Sequence, residues 1–231
     1  MLNWMSVSQH PEGARAELLA AARSESWGTR ILPQLADPDA ARESAVLILF
    51  GVLDSTPAPT VDAAVAKDLD VLLQRRASTL SSHPGQVSFP GGGRDADDAD
   101  FVATALREAV EETGLDPDGV EILGVLPELP LAASNHLVTP VLGWWTKPSK
   151  VAAVDHAETV EVFRVPVAQL LDPATRFTSV ITRDGFRFSG PAFDVDGTIV
   201  WGFTALVLDR IFDVCGWTVP WDESVERPVT V

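Results

Sequence analysis

The segment Arg107-Glu108-Ala109-Val110-Glu111-Glu112-Thr113-Gly114-Leu115 decides how the rest of the chain is read. On a helix of about 3.6 residues per turn, Glu108, Glu111 and Glu112 stand at i, i+3 and i+4 and share an arc of roughly 100°. Three hard oxygen donors in that arc suit a divalent cation of the Mg²⁺ or Mn²⁺ kind. Val102, Ala105, Leu106, Ala109 and Val110 read as an apolar stripe on the opposite side, fit to pack on a sheet. Asp97, Asp98 and Asp100 suit the start of this helix, and Gly114 suits a left-handed end. Most acidic helix faces are simply solvated, and such faces usually intersperse Lys or Arg. Here Arg107, placed to pair with Glu111, is the only cation on the helix, and no Lys occurs between Lys67 and Lys147.

Working outward, residues 83–95 run His83-Pro84-Gly85-Gln86-Val87-Ser88-Phe89-Pro90-Gly91-Gly92-Gly93-Arg94-Asp95. Successive glycines after a proline let main-chain groups come close to a ligand or a metal, and the stretch reads as a glycine-rich turn. Upstream, residues 70–76 have strand character, residues 55–60 read as an exposed hairpin or loop, and the apolar run 45–50 reads as a buried strand. Residues 12–35 have helical spacing until Pro33 breaks it. Downstream, strands are expected at 120–123, 138–146 and 161–165, with Pro127 and Pro130 bounding a loop and Trp144-Trp145 half-buried. Pro166 leads into a brief helix ending near Leu171. Residues 186–188 and 193–201 read as short strands, the second folded at Asp196-Gly197, before a helix over 206–215 and a loosely held tail from Pro220.

The chain has 231 residues and 46% hydrophobic content, enough for a sizeable core. Its 17 Lys+Arg against 33 Asp+Glu give a formal charge of −16, which argues against nucleic acid or an anionic membrane surface as partner. The single cysteine, Cys215, leaves no internal disulfide framework and suits a reducing cytoplasm. No run approaches the roughly 18 apolar residues of a membrane span. A soluble, cytoplasmic protein is expected.

Gly92, five residues, Asp98, eight residues and then residues 107–115 resemble the Nudix box. Asp98 stands where the general pattern has Glu, and the spacer to Arg107 is one residue longer. Both departures are shared with the coenzyme A pyrophosphatase branch. The upstream signature of that branch is matched by Leu72-Leu73, Arg76, Ala77, Leu80, His83, Gly85-Gln86-Val87 and Phe89-Pro90-Gly91-Gly92. Gln74 and Ser81 depart from it, since the branch has Thr and Arg there, and the missing Arg at 81 bears on recognition of the phosphates or the nucleotide.

The resemblance implies an α/β (α+β) protein with the Nudix fold, an α/β/α sandwich around a mixed sheet. Residues 41–217 would form that domain, with 1–40 as a helical extension and 218–231 as a tail. It implies a Mg²⁺- or Mn²⁺-dependent hydrolase that splits the diphosphate of coenzyme A or acyl-CoA. Rival readings are the same chemistry on ADP-ribose or a nucleoside triphosphate, and a binding module that keeps the fold without catalysis. Glu108 and Glu112 are expected as direct metal ligands, and Glu111 as a third ligand or as the acceptor of a proton from water. Arg107 would orient a carboxylate, and Gly92 would lend its carbonyl. Arg76, His83, Gln86 and Arg94 are candidate substrate contacts, with Arg75 a further one. Glu158 and Glu161 are candidates for an extra carboxylate, while His136 and His156 read as loop residues. Assembly state stays open, a homodimer among the candidates.

Overall fold

The computed structural model describes residues 13–25, 27, 35, 37–55, 64–79, 84–132, 134–183 and 185–229. His83, Leu80, Ser81, the Pro33 break and most of the 55–60 loop lie outside the described residues. In chain order the elements are helix α1 (Gly13–Ala22), strands β1 (Arg42–Val52), β2 (Leu69–Arg76), β3 (Val87–Ser88) and β4 (Gly91–Gly93), then helix α2 (Phe101–Thr113). Strands β5 (Val120–Val125), β6 (Leu129–Leu131), β7 (His136–Trp145) and β8 (Thr159–Pro166) follow, then helix α3 (Val167–Leu171). Strands β9 (Arg176–Arg183), β10 (Phe186–Val195) and β11 (Thr198–Val200), helix α4 (Gly202–Val214) and strand β12 (Glu226–Pro228) complete the chain. The chain divides into two compact units, Ala22–Gly51 with Val71–Arg164, and Met1–Ala21 with Val52–Asp70 and Val165–Val231.

In the first of these units the sheet runs β3-β2-β1-β7-β5, with β4 on β1, β6 on β7 and β8 on β2. It is mixed, as expected: β1 runs parallel to β7, from Arg42 opposite His136 to Phe50 opposite Trp144, while β4 and β5 pair antiparallel to their neighbours. Alternation along β1 turns Ala45, Leu47 and Leu49 to one face, where they meet Leu72, Val141 and Trp145 and the helix residues Ala105 and Ala109. Each fully buried leucine there contributes about 1.5–3 kcal/mol.

Helix α2 begins where Asp100 accepts a hydrogen bond from the Ala103 amide at 2.8 Å, and ends at Gly114 with φ 68°. Its buried face is centred differently from the sequence reading. Val110 is 36% exposed, whereas Glu112 is only 5% exposed. Glu112 follows Ala105 by seven residues and Ala109 by three, which places it on their side of the helix. Ala105 and Ala109 lie in the core and Val102 and Leu106 pack against it as expected, and of the three box acids it is Glu112 that joins them on the packing face.

Four further expectations are corrected. The glycine run is a strand, β4: Gly91–Gly93 pair antiparallel with Val46–Ser44, and a Cβ on Gly91 would run into the Ala45 carbonyl. Pro130 lies inside β6, in register with Leu137 of β7. Trp144 and Trp145 are 5% and 3% exposed, fully buried and not half-buried. The tail is tied down, since Glu226–Pro228 pairs parallel with Thr178–Val180.

In the other unit the sheet order is β11-β10-β9-β12, with the β10–β11 hairpin turning at Asp196 and Gly197, whose φ values are 51° and 83°. Helix α4 starts four residues ahead of the expected 206 and packs Phe212 edge-on to Phe193 at 6.3 Å. The buried Arg176 pairs with Asp209 and lies over the Trp221 ring at 4.6 Å.

Candidate active site

Three elements of the first unit meet at Glu112: β2 brings Gln74 and Arg76, β4 brings Gly91 and Gly92, and α2 brings the acids. Oε2 of Glu112 accepts from the Gly91 amide at 2.8 Å and from Gln74 Nε2 at 2.6 Å. Oε1 lies 3.9 Å from Arg76 Nη1. Behind Gln74, the Thr159 hydroxyl donates to Oε1 of the carboxamide at 3.1 Å. Burial pushes the Glu112 pKa up to about 7, with the Gly91 amide, the Gln74 amide and Arg76 acting the other way. Burial likewise raises that of Glu108, opposed chiefly by Arg107.

Gly92 lies directly under Glu108, since a Cβ there would stand 2.5–2.6 Å from its carboxyl atoms. The glycine is required by proximity to an acid, a constraint the sequence alone does not show. Arg107 is the hub of the exposed side. Its Nε and Nη2 donate to the two oxygens of Asp98 at 3.1 and 2.9 Å, a two-pronged contact that holds Asp98 well below the usual carboxylate range. Its Nη1 donates to Glu108 at 2.9 Å and to Glu111 at 3.1 Å, and its Nη2 reaches the Gly93 carbonyl at 2.9 Å. Asp98 also accepts from the Thr104 hydroxyl and the Asp95 amide, both at 2.9 Å.

The three box glutamates thus take different places. Glu112 is enclosed, Glu108 is 17% exposed, and Glu111 is 58% exposed and held by Arg107. Among the described residues, no three His, Cys, Asp or Glu side chains form a cation-sized group by themselves. The donor set still suits a hard divalent ion, because Mg²⁺ and Mn²⁺ commonly take one or two carboxylates and complete their shell with water and phosphate oxygens. Glu108 and Glu112 would supply the carboxylates to such an ion.

Other sequence candidates scatter. Gln86 is half-buried, and its carbonyl accepts from the Arg76 amide at 3.0 Å. Arg94 pairs with Glu43 at 3.1 Å and lies over the Phe101 ring at 4.9 Å. Arg75 pairs with Glu161 at 3.4 Å, and Glu158 and His156 are exposed. His136 bonds Ser134 through Nδ1. Sequence reasoning singled out Gln74 only as a mismatch, and Thr159 not at all. The signal available for Gln74 was an amide inside the apolar run of β2, where a buried polar group needs a partner.

The family model for the NUDIX domain matches residues 56–184. The chain belongs to the Nudix hydrolase family. This Nudix hydrolase is 35% identical over 141 residues to an uncharacterized Nudix hydrolase NudL of Photorhabdus laumondii subsp. laumondii, covering 61% of this chain and 74% of that one. It is 32% identical over 179 residues to the NudL of Pectobacterium atrosepticum, covering 78% and 85%. Among solved structures it is similar to RenU, a Nudix hydrolase from M. smegmatis, with 17% identity, a TM-score of 0.49, and coverage of 79% of this chain and 90% of that one. As a Nudix hydrolase the protein is an enzyme, and hydrolases of this family generally use divalent metals. Among its described residues no helix is long and apolar enough to cross a membrane.

Proposed function

We propose that this Nudix hydrolase cleaves the diphosphate of coenzyme A or an acyl-CoA in the cytoplasm, giving 3′,5′-ADP and (acyl-)4′-phosphopantetheine. The observation that carries the reading is that both ends of the branch-like segment 72–92 converge on the box acids. Arg76 approaches Glu112 from one end, at 3.9 Å, and Gly91 and Gly92 contact Glu112 and Glu108 from the other.

In this reading Glu108 and Glu112 hold a Mg²⁺ or Mn²⁺ ion, with the Gly92 carbonyl as a further donor. That ion, when bound, supplies positive charge to the diphosphate oxygens and acidifies water. Arg76, with 24% of its side chain exposed, offers its guanidinium to a phosphate oxygen. Water attacks one phosphorus, a new P–O bond forms as the bridging P–O bond breaks, and the second phosphate leaves as an anion. Glu111 is solvent-facing and fixed by Arg107 at 3.1 Å, which suits it to take the proton that water gives up.

The test is a substrate panel with purified protein, offering CoA, acetyl-CoA, ADP-ribose and nucleoside triphosphates with Mg²⁺ or Mn²⁺ and resolving products by chromatography. Release of 3′,5′-ADP from a CoA species is expected. Turnover of ADP-ribose or triphosphates with none of any CoA species would overturn the substrate assignment.

A further inference from the structure

The carboxamide of Gln74 is fully buried in β2, and a buried amide is stable there only if its N–H and its oxygen both find partners. Its nitrogen donates to Glu112 and its oxygen accepts from Thr159, itself 1% exposed at the start of β8. Glu112 Oε2 thereby receives two hydrogen bonds, from Gln74 and from the Gly91 amide. Among the described residues its Oε1 lies 3.9 Å from Arg76 Nη1, beyond hydrogen-bond length. Gln74 is also one of the positions at which this chain departs from the branch signature it resembles.

We propose that Gln74, anchored by Thr159, is a positioning residue that locks Glu112 with one oxygen turned into the protein and presents the other alone to the cation. This deepens the metal reading given above and rests on it. A carboxylate committed in this way binds the ion through one oxygen, and its plane is set by strands β2 and β8 as well as by its own helix. Outer partners of metal ligands act in this manner, and removing one typically weakens metal binding or activity by about 10- to 100-fold.

The test compares the full chain with Gln74→Met, which keeps the side-chain length and loses the amide, and with Thr159→Val, which removes only the anchoring hydroxyl. Mn²⁺ affinity is measured without substrate from the paramagnetic resonance of free Mn²⁺, alongside thermal unfolding of the metal-free forms and hydrolysis as a function of Mg²⁺. The expected result is Mn²⁺ binding weakened about tenfold or more in Gln74→Met and by less in Thr159→Val, with hydrolysis recovering as Mg²⁺ is raised. Wild-type Mn²⁺ affinity in both folded variants overturns the proposal, as does a lower rate at saturating metal with affinity unchanged. If Gln74→Met fails to fold, Thr159→Val decides by the same measure. Absence of Mn²⁺ binding in the wild type removes the metal reading and this inference together. A wild type that binds Mn²⁺ but turns over only non-CoA substrates removes the CoA assignment and leaves Gln74 to be judged on affinity.

Discussion

Gly92 and Glu108 are in contact across sixteen residues of chain, so closely that a methyl group on the glycine would lie 2.5–2.6 Å from the carboxyl atoms of the glutamate. Gly92→Ala therefore has to push the Glu108 carboxylate aside. Because the displaced atoms are the far end of a flexible side chain, the cost to folding should stay at or below about 1 kcal/mol, the low end of overpacking penalties. With Glu108 in its proposed role as a metal ligand, the effect on Mn²⁺ affinity and on hydrolysis should be larger, about 10- to 100-fold. A near-native melting temperature with a defective site is the expected pair of results; full activity would remove Glu108 from the site.

Glu112→Gln keeps the shape and removes the charge. If Glu112 holds the ion as proposed, hydrolysis should fall by about 100-fold or more. An unchanged rate would refute the assignment of Glu112.

The same variant has a pH signature in the metal-free protein. Burial holds the Glu112 pKa near 7 against an ordinary value of 4.5, so between those limits the folded state keeps a proton the unfolded chain has released. Stability contributed by this group therefore falls as pH rises through that window. Metal-free Glu112→Gln should lose less stability than wild type between about pH 4.5 and pH 7, and added Mg²⁺ should stabilise wild type more than the variant. Parallel denaturation curves across that range would contradict this.

Asp98 works with the opposite sign. Its pKa is lowered, first by the hydrogen bond from Arg107, so its contribution is complete above the ordinary value of 3.8 and is lost as pH falls below it. Asp98→Asn should be less stable at neutral pH and show a shallower loss of stability on acidification, read by urea unfolding at a series of pH values. Equal acid limbs in both proteins would show that the Arg107 pair does not stabilise the fold.

Cys215 is 8% exposed, and burial pushes its thiol up to about 12, with the charge of Glu17 a lesser cause. At pH 8 it should react with a disulfide reagent only as fast as the protein opens, and at an ordinary rate in denaturant. Rapid stoichiometric labelling of the native protein would disprove that burial.

The sequence by itself determined the helix carrying the box, its Asp-rich start and its glycine end, the apolar strands at 45–50 and 70–76, and the Asp196-Gly197 hairpin. These are local matters of helical spacing, capping and turn chemistry, which act over a few residues. Only the tertiary structure decided that Glu112 belongs to the buried face and that Gly91–Gly93 is a strand paired with β1. It also decided that Gln74, a mismatch in the sequence, is the hydrogen-bond partner of the most enclosed of the three box acids. Such relations depend on which strand lies beneath which helix, and on buried polar groups finding partners 21 to 85 residues away. Spacing along the chain carries no record of that demand.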